Sequence, residues 1–134
     1  MSEYRRYMWC DTITLYHRTE SEDEASGKVI TTWSRATYAN CYYGLKVSRR
    51  ISGLGWIVNN THLVRIPAAS VTSAFALGQG DIIVRGDVAD TIATNGTGKD
   101  VRVKYADSSF IVNMAKDNMN LPNTAHWLAS EEDK

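Results

Sequence analysis

The stretch "NGTGKD", residues 95–100, sets a lysine behind a glycine in a run of small residues. A loop of this kind holds phosphate when glycine stands five residues before the Gly-Lys pair and Ser or Thr follows it. Its backbone N–H groups and the lysine then face the anion. Here position 93 is alanine and position 100 is aspartate, so the pattern fails twice. The stretch reads as a glycine-rich hairpin turn. His17, His62 and His126 lie far apart, with no pair at metal-ligand spacing and no Glu-x-x-His. Each is expected to close a strand or to pack beside an aromatic ring. Cys10 and Cys41 match no CxxC and read as reduced, small apolar residues of a cytoplasmic protein. No serine sits in a G-x-S-x-G elbow. Asp81, Asp87 and Asp90 cluster in sequence, and paired carboxylates can do acid–base work. Asp81 precedes an apolar run, however, and the other two follow it in a turn, where Asp serves backbone hydrogen bonds. No catalytic residue, metal or cofactor is expected.

A second kind of chemistry is open to the aromatic residues. Tyr38, Tyr42, Tyr43 and Trp56 lie in or near a basic segment. Aromatics interleaved with Lys and Arg on a small barrel can stack single-stranded nucleic acid. The alternative, which the lack of a repeated aromatic–basic pattern favours, is that they fill a core and support a protein interface.

The charge is balanced in total, with 15 basic and 15 acidic residues, but it is unevenly placed. Lys28, Arg35, Lys46, Arg49, Arg50 and Arg65 occupy residues 25–80 with no acid among them. Acids dominate both ends. A positive middle between negative ends suggests a partner of opposite sign or self-assembly through complementary patches.

The elements that must position these groups are short. The 134 residues fit a single domain, and 43% hydrophobic with 22% charged residues is an ordinary globular composition. No apolar run approaches ~18 residues, so no membrane helix is expected. No continuous apolar segment follows the first basic residues, so no secretory leader is expected. Asn59 and Asn95 then match N-x-Ser/Thr by chance. "DTITLYH" (11–17) alternates Ile13 and Leu15 with polar neighbours and reads as a half-buried strand. An acidic loop with Glu20, Glu22, Asp23 and Glu24 follows, closed by Gly27. Residues 28–44 read as two strands or one long bent strand pairing back as a hairpin. Residues 45–61 hold Gly53 and Gly55 with Lys46, Arg49, Arg50 and Trp56, and read as a projecting loop or hairpin. Strands follow at 62–67, stopped by Pro67, and at 81–86. Asp87 is placed to cap a helical turn at 88–92. Residues 99–107 fit a strand or a helical turn capped by Asp100. A strand at 108–118, a last short strand around Trp127 and a solvated acidic tail at 130–134 complete the chain. Expected core residues are Ile82, Val84, Val64, Ile66, Val112 and Met114, with Ile13 or Leu15. The fold class is all-β, a small barrel or sandwich with at most one or two short helices.

From residue 11 to residue 129 the order of these pieces resembles the small head–tail connector proteins of tailed bacteriophages. The likeness is to the head-closure or stopper type and its prophage relatives in Gram-positive hosts. It is carried by "DTITLYHRTE", the acidic loop ending at Gly27, "ITTWSRATYANCYYG", "HLVRIP", "GDIIVRGDVADTI", "SFIVNMAKDN" and "LPNTAHWLAS". The last has three extra residues between Pro122 and His126 relative to the family's closing "LPHW", and residues 44–61 align least well. The resemblance implies a β-barrel subunit that forms a homo-oligomeric ring in the virion, assembled in the bacterial host cytoplasm. The ring sits at the head–tail junction between a portal or adaptor and the tail-terminator or tail-tube proteins. Double-stranded DNA passes through its channel without sequence specificity, and no membrane is involved. Lys46, Arg49, Arg50 and Trp56 would then form an interface or channel loop, and Glu20, Glu22, Asp23 and Glu24 an acidic interface loop. A tail-completion or tail-terminator subunit is the nearest alternative. A small barrel binding single-stranded nucleic acid is the alternative from another class.

Overall fold

The computed structural model describes residues 9–71, 75–119 and 125–131, without the side chains of Lys46, Ser48, Arg50 and Asn59. Part of "LPNTAHWLAS", the tail beyond Glu131 and the first eight residues lie outside the described residues. Among the described residues, seven strands make one antiparallel sheet: β1 (Asp11–Glu22), β2 (Val29–Ser52), β3 (Gly55–Pro67), β4 (Ile82–Arg85), β5 (Ser109–Ile111), β6 (Met114–Asn118) and β7 (His126–Ser130). Their order is β5-β4-β1-β2-β3-β7-β6. Among the described residues one helix, α1 (Lys99–Lys104), and two single 3-10 turns accompany them.

The sheet curls into a barrel-like form, and the chain itself shows why. β5 and β6 are its two edges, yet only Val112 and Asn113 separate them. Three Cα steps span at most about 11 Å, so the end of β5 and the start of β6 must lie close together. The crossing is bonded to both halves. Val112 N–H donates to the Asp81 carbonyl at 2.8 Å, and Asn113 N–H to the Ser130 carbonyl at 2.9 Å. The strand expected over 108–118 is therefore two strands, split where the chain passes from one edge to the other.

β2 is one long bent strand. Its first half pairs with β1 and its second half with β3. The bend falls at Asn40, in the left-handed region with φ 58°, where the β1 register slips between Asp11 and Ile13. One extra residue in a strand bends it and strengthens its twist, and asparagine tolerates this backbone better than most residues.

Two cores result. The inner one holds Ile13, Leu15, Tyr43, Val64, Ile66, Ile83, Phe110 and Val112. The outer one holds Tyr16, Ile82, Val84 and Val101, with Trp33, Val88, Ile92 and Tyr105 packed around them. Each fully buried side chain of this size contributes roughly 1.5–3 kcal/mol. Both Ile13 and Leu15 are core, as are Ile82, Val84, Val64, Ile66 and Val112; Met114 is only half-buried. Thr14 and Tyr16, on the face expected to be wet, are buried too. The cause is the segment after β4, which folds back over that face.

That segment also corrects the helix expectation. No helix forms at 88–92. Asp87 pairs with Arg35 instead, at 3.2 Å. Asp90 accepts from Lys104 Nζ at 2.9 Å and from the Tyr105 hydroxyl at 2.7 Å. Hydrogen bonds from Lys104 and then Tyr105 hold its carboxyl below the ordinary carboxylate value. The helix lies further on, in α1, with Gly98 at its N-cap in the left-handed conformation and Asp100 in its first turn. A Cβ at Gly98 would also run into the Ile82 side chain. β1 continues through Glu22, so Glu20 and Glu22 are strand residues rather than loop residues. β7 takes in Ser130, so any solvated tail begins after it.

Both cysteines are free; Cys10 is exposed and Cys41 buried. Burial, and then the nearby Asp11 carboxylate, push the Cys41 thiol up to about 12. The reactive species is the thiolate. Alkylation of the native chain at pH 8, read by peptide mass spectrometry, is expected to label Cys10 and spare Cys41 until denaturant is added. Labelling of both at equal rates would contradict this burial.

Candidate functional site

The feature that stands apart from the folded body is a hairpin arm. β4 covers β1 only from Ile13 to Tyr16, and β7 covers β3 only from Leu63 to Pro67. Beyond Gly44 and Leu63, among the described residues β2 and β3 are each other's only strand partners, in register from Leu45 with His62 to Ser52 with Gly55. The turn is built by Ser52. Its Oγ accepts from Leu54 N–H at 3.2 Å and donates to the Gly55 carbonyl at 3.1 Å. Gly55 has φ 120°, a conformation that favours glycine. The expected projecting hairpin at 45–61 is thus present, with Arg49 and Trp56 exposed along it. Lys46 and Arg50 take register positions opposite Thr61 and Ile57.

The base of the arm is fastened to the body. His62 stacks on Phe110 with ring centroids 5.8 Å apart, and its Nδ1 lies 3.1 Å from Glu131 Oε2. Tyr43 is tilted against both rings. Its hydroxyl is buried and has no hydrogen-bond partner among the described residues. Burial, and then the Glu131 charge, push that hydroxyl up to about 12. The Arg65 guanidinium lies over the Tyr42 ring at 5.3 Å.

Register then sorts the faces, because cross-strand partners share a side. Tyr43 and Val64 lie on the buried inner face. The same row continues outward as Leu45, Val47, Arg49 and Ile51 on β2 and His62, Asn60, Val58 and Trp56 on β3. Leu45, Val47, Ile51, Trp56 and Val58 are each more than half exposed, with Trp56 at 69% and Leu54 at the turn fully exposed. The core pattern therefore runs out into water along one face of a two-stranded ribbon. Such a ribbon alone is marginally stable in water, and an apolar patch of this size marks an interaction surface. Among the described residues no carboxylate pairs with Arg49.

The acidic residues lie elsewhere, at the end of β1 and in the turn that leads into β2. Asp23 is committed to its own turn, accepting from Ala25 N–H at 3.0 Å and the Ser26 hydroxyl at 2.9 Å. Glu20 pairs with Arg18. Glu22 and Glu24 are exposed and make no ion pair among the described residues. The structure thus does not bring the basic and acidic groups together within one chain. They sit at opposite ends of β2.

The four aromatics do not form one platform. Tyr43 is buried, Tyr38 packs edge-on against Phe75 at 5.3 Å, Tyr42 takes the opposite face of the ribbon, and Trp56 alone is openly exposed.

One link was invisible in the sequence. His17 Nδ1 lies 2.8 Å from Asp81 Oδ2, although 64 residues separate them. Ser34 stands across the strand from His17, beside a hollow of about 230 Å³ also lined by Leu15, Ala36 and Tyr38. No hydrogen bond joins Ser34 to His17. The carboxylate also accepts from Arg18 N–H and Gly78 N–H, both at 2.9 Å. This geometry fastens the loop before β4 to β1. Residues 96–101 line a second hollow of about 340 Å³ with Thr91, Ile92 and Ala93, and Lys99 is exposed there. Among the described residues no three His, Cys, Asp or Glu side chains are grouped to hold a metal ion.

A family model described as a family of unknown function, DUF6751, matches residues 8–130. The chain belongs to this family. No curated protein and no solved structure matches it. The DUF6751 match spans the curled sheet and the whole arm, so both belong to the matched region. Among the described residues of this DUF6751 chain, no helix is long and apolar enough to cross a membrane.

Proposed function

We propose that the chain is a structural subunit of a tailed-phage neck, a ring-forming head–tail connector of the head-closure type. The observation that carries this reading is the arm: a small β body holds out a ribbon whose apolar face is exposed, with nothing over it among the described residues. A catalytic protein needs convergent polar groups in a cleft, whereas an assembly subunit needs a rigid body with a protruding contact surface. The arm supplies the second. The resemblance of residues 11–129 to head–tail connectors supports the same reading. In it, the ring joins a portal or adaptor to the tail and surrounds the passing DNA.

The test is made on particles of a phage that encodes the chain. Deleting its gene is expected to leave full heads and complete tails that do not join. Supplying the chain in trans is expected to restore infectious particles, and gold-labelled antibody should mark the neck in electron micrographs. Joined, infectious particles without the chain, or label elsewhere on the virion, would overturn the reading.

A further inference from the structure

We infer that the apolar face of the arm is a docking surface for a second copy of this chain, and that it takes the acidic β1–β2 end of that copy. This deepens the assembly reading by naming the contact. Leu45, Val47, Ile51, Trp56 and Val58 present several hundred Å² of apolar side chain, comparable with the ~800 Å² that one partner buries in a standard interface. Arg49 lies within that face, and among the described residues no acid pairs with it. Register sets Lys46 and Arg50 on the other side of the ribbon, so Arg49 is the basic residue of this face, and the arm region 45–61 contains no acidic residue at all. Its complement must therefore offer apolar surface together with carboxylate.

The far end of the same chain does so. Glu22 and Val29 are register partners, and Val29 is 62% exposed. Glu22 and Glu24 are exposed without ion-pair partners among the described residues. β2 carries this acidic end at Val29 and the arm tip at Ser52, separated by a strand path of roughly 75 Å at ~3.3 Å per residue. The two patches do not pair within one subunit, so they satisfy each other between subunits. A contact between two different patches is head-to-tail, and repeated with a closing rotation it makes a ring.

The experiment uses the full chain and measures self-association by mass photometry and light scattering over a concentration series. The wild type is expected to associate reversibly. Arg49→Glu is expected to weaken association about tenfold, as is Glu22→Lys with Glu24→Lys. Combining the three substitutions is expected to restore affinity to within about threefold of wild type, because the reversed charges again match. Trp56→Ser is expected to weaken it about thirtyfold, since a large aromatic in a contact carries much of the binding. Circular dichroism melts of the variants at high dilution separate lost docking from lost folding. A wild type that stays monomeric at all concentrations would overturn the inference, as would reversals whose effects add rather than compensate. A monomeric chain that still occupies necks defeats this contact alone. A chain that forms compensating oligomers but enters no virion defeats the neck reading alone.

Discussion

Val84→Asp is expected to leave no soluble folded chain. Val84 has no exposed surface and points into the outer core beside Tyr16, Ile82 and Val101. Its strand is central: β4 pairs Val84 with Thr14 of β1 on one side and Ser109 of β5 on the other. A carboxylate there has neither water nor a described basic partner in that cluster. The cost of burying such a group unpaired exceeds about 4–5 kcal/mol, a large share of the 5–15 kcal/mol that holds a typical domain folded. Val84→Ala is the control. It removes only methyl groups and is expected to cost about 2 kcal/mol, lowering the melting transition by roughly 5–10 °C with cooperativity intact. Soluble expression of Val84→Asp with a wild-type melt would mean that the outer core is not closed, and the packing of residues 87–105 over β4 would have to be abandoned.

Legibility follows the same division between local pattern and long-range packing. β4 was readable because Gly80 and Gly86 bracket five residues, three of them apolar, and β7 because Trp127, Leu128 and Ala129 form an apolar run a few residues after Pro122. The arm was readable as an excursion, since Gly53 and Gly55 mark a turn and Lys46, Arg49 and Arg50 break the apolar pattern. The largely apolar row along one face of it was not, because Leu45, Val47 and Ile51 come to share a face with Trp56 and Val58 only once the register is set. Thr14 and Tyr16 look like the wet side of a half-buried strand. They are dry because a segment some seventy residues later covers them, with the Tyr16 hydroxyl bonded to the Asp90 carbonyl at 2.7 Å. The helix misplacement has a similar origin. Asp87 and Asp90 suit a cap by type, but Arg35, Lys104 and Tyr105 draw them into an extended loop. No local signal marks the break at Val112, because it is imposed by the meeting of the sheet's two edges. Of the candidate site, residue types and charge were legible, and geometry was not. The basic and acidic groups were each found, yet their placement at opposite ends of β2 depends on that strand running unbroken through Asn40.

Asp81→Ala is expected to be the most damaging substitution of a polar residue in the fold. The side chain is 1% exposed and accepts three hydrogen bonds, from Gly78 N–H, Arg18 N–H and the His17 ring. Its own carbonyl receives Val112 N–H at 2.8 Å. One residue therefore ties β1, the loop ahead of β4 and the crossing between the two sheet edges. Alanine keeps the backbone bond but strands two amide donors and a histidine nitrogen in a part-buried site. Each stranded group costs about 1–3 kcal/mol when water cannot replace the lost acceptor. His17 is partly exposed and is compensated by solvent, so a loss of about 3–5 kcal/mol is expected. Asp81→Asn keeps the shape and one acceptor oxygen. It is expected to lose roughly half as much, because its amide can accept from Arg18 N–H but turns a second donor towards Gly78. Urea denaturation of the three proteins measures the order, and amide exchange at Arg18 and Gly78 locates the effect. Faster exchange at both positions in Asp81→Ala, with the arm amides from Lys46 to Val58 unchanged, would assign the carboxylate to the body of the fold. A loss below about 1 kcal/mol in Asp81→Ala would mean that the loop ahead of β4 is held by other contacts, and the His17–Asp81 pair would then need a different purpose.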